Sequence, residues 1–205
     1  MQQLKFSLPY YTGERWQNWI DKVKETGFKL DEENPDVGDI GSVFVNMEDD
    51  VVLACLKVIA KFDKKLMSHE EALRNVADIK EIVLKKIEAI NEDIDIMLES
   101  MQLSLMGVFA SCECYIDGAF EKTKSLDKLV KKAVSAEQEN NMGEALAQVA
   151  QIGANILAGG KIKEKTLDSV PDGFVAEWLD GIDSISAALV GDKSYRDDEP
   201  DKASD

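Results

Sequence analysis

Four acids come nearest to chemistry in type and spacing. Asp78 and Glu81 form one pair at i and i+3, and Glu92 and Asp95 form a second. Residues three apart on a helix are neighbours on one face, so each pair could present two carboxylates together. Magnesium takes oxygen ligands, and two such pairs on adjacent helices could hold one ion between them. The phase of the first helix opposes this. Its apolar positions Leu73, Val76, Ile79, Val83, Ile87 and Ile90 centre the buried face near Ile79 and Val83. Asp78, Glu81 and Lys85 fall on the opposite side, toward water. Acids that meet across a helix pair should flank the buried seam. These four therefore stand as an alternative metal site, and the first expectation is a chain with no catalytic residue, no metal and no cofactor.

Other candidates are weaker on chemical grounds. Eight acids lie between Asp31 and Asp50 with no lysine or arginine among them, but their spacing does not follow the alternating acids, Gly and Glu of a calcium loop. Cys112 and Cys114 are two apart, so on a helix they point about 200° away from each other and cannot grip one ion. The single histidine, His69, follows Ser68 in a Ser-x-x-Glu capping pattern and has no second ligand near it. No G-x-S-x-G, P-loop, G-x-G-x-x-G or H-E-x-x-H sequence occurs. Glu-x-x-His pairs for a di-iron bundle are also missing.

Two groups could meet a partner. Tyr10, Tyr11, Trp16 and Trp19 put an aromatic face on a short first helix running from Thr12, a natural N-cap, to Gly27, a natural stop. The rings could bury against the bundle, or form an exposed docking patch. Lys122, Lys124, Lys128, Lys131 and Lys132, and then Lys161, Lys163 and Lys165, are positive islands. They could pair with acids inside the chain or meet a phosphate-bearing partner.

The elements that would position these residues are helices. In Asn91–Phe120, Ile94, Leu98, Met101, Leu105, Val108, Phe109, Cys112 and Ile116 share one face, and Ile96, Leu103, Gly107, Ala110 and Cys114 share another. A helix apolar on two sides belongs inside a bundle, and the small residues of the thinner stripe would admit a close neighbour. The sequence thus predicts an all-α bundle of about six helices around a central helix at 92–120. A helix is expected from Asn46 to Phe62, after a loop at 28–45. The helix carrying Asp78 should meet the central one through a short turn, as antiparallel neighbours. A break is expected near Asn140, and a last helix from Pro171 to Gly191. One domain is expected over 1–191, then a disordered acidic tail over 192–205.

The 205 residues carry a formal charge of −16, which disfavours direct binding to nucleic acid or anionic membranes. Three cysteines with no pairing framework suggest a reducing, cytoplasmic setting. The start, MQQLKFSLPYY, lacks the apolar run of a signal peptide, and no stretch of about 18–20 apolar residues suited to a membrane is expected.

The two acid pairs are similar to those of all-helical nucleoside triphosphate pyrophosphatases of the MazG-like class, which hold magnesium with acids at i and i+3 on adjacent helices. There the first pair is usually two glutamates; here it begins with Asp78. Over about residues 10–120, the stretches YYTGERWQNWIDKV, NMEDDVVLACLKVIAKFDKK, ADIKEIVLKKI and SLMGVFASCECYIDG resemble a family of small acidic archaeal proteins known as a domain of unknown function. The resemblance implies an archaeal, cytoplasmic protein and supplies no activity or site. The expectation is a non-enzymatic interaction or assembly protein, self-association included. A magnesium-dependent pyrophosphatase-like enzyme and an acidic nucleic-acid mimic that occupies a basic protein are the alternatives.

Overall fold

The computed structural model describes residues 8–30, 38–123 and 125–197, and these form helices and connections with no strand among them. Eight helices follow in order: α1 Gly13–Thr26, α2 Gly38–Asp63, α3 His69–Val83, α4 Glu92–Asp117, α5 Asp127–Gln138, α6 Met142–Leu157, α7 Glu164–Leu167 and α8 Phe174–Asp197. The chain divides into two compact units, residues 1–102 and 103–205, and α4 contributes its first turns to one and the remainder to the other.

In the first unit, α1, α2 and α3 pack on one another. Thr12 caps α1 by accepting from the backbone N–H of Arg15, and Gly27 closes it at a left-handed φ of 59°. Trp16, Ile20 and Val23 turn inward. The second helix starts at Gly38, eight residues before the expected Asn46. Gly41 and Phe44 are buried, and Phe44 extends the apolar stripe of Met47, Val51, Cys55 and Val58 by a further turn. Phe28 packs edge-on to Phe44, with ring centroids 5.1 Å apart. That contact outweighs the turn tendency of two glycines; residues 31–37 of the expected loop lie outside the described residues.

Ser68 caps α3 through the full reciprocal capping box with Glu71. The helix ends at Val83 rather than near Ile90. The side-chain amide of Gln102 on α4 donates to the carbonyls of Val83, at 2.7 Å, and Lys85, at 3.2 Å. These acceptors are therefore taken by a side chain. No short turn joins α3 to α4. Residues 84–91 lead back to the start of α4, where Asn91 accepts from Ile94 N–H and Asp95 accepts from Ile90 N–H.

In the second unit, α5, α6 and α8 pack on one another, and Leu105, Val108, Phe109, Cys112 and Ile116 of α4 are buried. The small residues of its other stripe admit neighbours. A Cβ on Gly107 would stand 2.5 Å from the carbonyl oxygen of Trp178 on α8. Gly181 of α8 lies as closely against the carbonyl of Ser104. The break between α5 and α6 falls at Asn140, in the left-handed region at φ 57°, and Asn141 caps α6 by accepting from Glu144 N–H. The last helix begins at Phe174, beyond Pro171, and its backbone continues past Gly191 to Asp197. A glycine inside a helix costs only about 1 kcal/mol and need not stop it. Residues 198–205 of the expected tail lie outside the described residues.

Among the described helices, α4 has the length and composition to cross a membrane, against the expectation that none would. Half of that apolar stretch is buried inside the fold, where it serves as core.

Candidate functional site: a charged groove between α1 and α3

The aromatic residues of the first helix are held by one carboxylate. Asp50 of α2 accepts from the indole N–H of Trp19 at 2.8 Å and from Arg15 Nε at 2.7 Å, and it pairs with a second nitrogen of the same guanidinium. Burial pushes the Asp50 carboxyl up, but the hydrogen bonds of Arg15 and Trp19 and the charge of Arg15 prevail and hold it below the usual range. Arg15 also lies 5.3 Å from the ring centre of Tyr11. Lys22 covers Trp19, and Lys61 covers Tyr10. Tyr11 and Trp16 are buried, and Tyr10 and Trp19 are half-buried. The Tyr11 hydroxyl is enclosed beside Asp50 without an acceptor at hydrogen-bond geometry. Burial first, and then the charge of Asp50, pushes this phenol well above its ordinary value.

On the other side of α1 runs a groove of about 740 Å³. Its α1 wall is Gly13, Trp16, Gln17, Ile20 and Lys24, positions that recur at three and four along one face. The facing wall is Asp78, Glu81, Ile82 and Lys85 of α3, continued by Lys86, Ile87 and Glu88; Pro9 and Tyr11 close one part. The groove therefore joins two groups that the sequence presents separately, the first acid pair and the aromatic residues Tyr11 and Trp16. Lys24, Lys85 and Lys86 had carried no functional expectation at all. Only the tertiary placement of 84–88 beside α1 brings them in.

Glu92 and Asp95 are not part of the groove. Glu92 is exposed in the first turn of α4, and Asp95 holds the preceding backbone while lining a separate hollow of about 210 Å³ with Lys86 and Glu99. Among the described residues, no group of three or more His, Cys, Asp or Glu side chains is placed to hold a metal ion. Asp31, Glu32, Glu33 and Asp36 of the acidic run lie outside the described residues.

The remaining candidates fall within ordinary structure. No disulfide joins the three cysteines; Cys55 and Cys112 are buried, and the half-buried Cys114 thiol donates to the Ala119 carbonyl at 3.5 Å. The two lysine islands are linked: Lys163 Nζ lies 3.1 Å from Asp127, the acid that sits within the first island. Thr166 and Lys163 together hold the Asp127 carboxyl below the usual range. Lys124 lies outside the described residues. A hollow of about 480 Å³ in the second unit is lined by Glu164, Asp168, Asp180 and Asp183 above Leu167, Val170 and Leu179.

One exposed apolar surface stands out. On α2, Val45 is 60% exposed and Leu53 is 46% exposed. Leu56 is partly exposed and Ala60 exposed, and at about 100° per residue the four lie within an arc of about 80° around Asp49. Partial burial pushes the Asp49 carboxyl up.

These features define an all-helical protein among its described residues. The family model described as "Uncharacterized protein conserved in archaea (DUF2150)" matches residues 9–198, and the chain belongs to that family. No curated protein and no solved structure matches it.

Proposed function

We propose that the protein is a non-enzymatic interaction module of the archaeal cytoplasm that docks a partner protein through the exposed flank of α2. The observation that supports this is the grouping of Val45, Leu53, Leu56 and Ala60 around Asp49. Scattered exposed apolar residues are ordinary, whereas a set on one helix face is what an interface core needs. The occupant is a protein with an apolar ridge flanked by basic residues. The net charge of −16 favours such a surface and opposes a second copy of this chain. Asp49 would meet a basic side chain there, removing the cost of its partial desolvation.

The test is affinity capture at cytoplasmic salt with wild type and Leu53→Glu, with mass measured by light scattering. Stoichiometric retention of one basic protein by wild type, lost in Leu53→Glu while the variant stays folded, is expected. Retention of the same proteins by both forms, or a wild-type dimer mass that halves in the variant, defeats the proposal.

A further inference from the structure

We draw no further inference here: the strongest candidate, the hollow of about 480 Å³ beside α7 and α8 that Glu164, Asp168, Asp180 and Asp183 line, is a cluster of exposed acids into which, among the described residues, no buried side chain lacking a hydrogen-bond partner is aimed, so nothing in the structure points to a ligand there.

Discussion

Gly107 of α4 and Trp178 of α8 meet backbone to backbone: a Cβ at Gly107 would stand 2.5 Å from the Trp178 carbonyl oxygen. Gly181 returns the contact one turn along, against the Ser104 carbonyl. A carbonyl within a helix cannot swing away as the end of a side chain can. Gly107→Ala should therefore destabilise the protein by about 1–3 kcal/mol, the cost of overpacking. This should hold even though alanine favours helix by about 1 kcal/mol. Gly143, in the exposed first turn of α6, has nothing within 4 Å of its Cβ position. Gly143→Ala should stabilise by about 0.4–1 kcal/mol. Urea midpoints at constant slope measure both, and a Gly107→Ala midpoint at or above wild type would refute the close-approach account.

That contact also marks what the sequence could disclose. The second stripe of α4 is legible as small residues at helical spacing, and Gly107 admits its neighbour as the pattern implies. The first helix and the Asn140 break are legible for a similar reason: caps and stops act within a few residues. The extents of α2 and α3 are not legible, because each is decided by a distant partner. Phe28 sustains the first turns of α2, and Gln102 claims the carbonyls that would continue α3. The groove fails for the same reason. Asp78 and Glu81 lie exposed, away from the main apolar face as the phase implies, but nothing local reveals that α1 and residues 84–88 line the same groove.

Asp50 joins α1 to α2, and its removal should show both in stability and in pH dependence. Asp50→Ala leaves the Trp19 indole and the Arg15 guanidinium without their acceptor. The expected cost is about 1–3 kcal/mol, and Arg15 contributes the smaller part because its side chain is 46% exposed. The folded carboxyl titrates below the unfolded one. Its stabilising effect is therefore full above the unfolded value of about 3.9 and disappears as pH falls through the folded value. Urea titrations at several pH values should show wild type losing stability in that acid window and Asp50→Asn losing less. Parallel acid limbs would refute the role.

The Tyr11 hydroxyl makes the opposite prediction, at high pH. Its folded value is raised, so the folded protein keeps the proton as the unfolded chain begins to release it at about pH 10. Stability is intact below that value and falls as pH rises beyond it. Tyr11→Phe removes a buried donor whose neighbour Asp50 is not held at hydrogen-bond geometry. It should be neutral or stabilising by up to about 1 kcal/mol at pH 7, and its alkaline limb should be flatter than that of wild type. A loss of 2 kcal/mol or more in Tyr11→Phe would mean that the hydroxyl carries a hydrogen bond.

In the second unit, Asp180 lies three residues from both Glu177 and Asp183 on α8. Burial first, then the charges of Glu177 and Asp183, pushes its carboxyl up. Like charges at this spacing each cost roughly 0.2–0.5 kcal/mol at an exposed surface. Asp180→Asn relieves both pairs and should raise the thermal midpoint at pH 7 and low salt. Because the folded value is raised, the wild-type penalty is present above the unfolded carboxyl value of about 3.9 and should vanish below it. Salt should narrow the same gap, since exposed charges are screened within about 10 Å at 0.1 M. A gap that persists unchanged in molar salt and at low pH would assign the effect to packing around the side chain rather than to its charge.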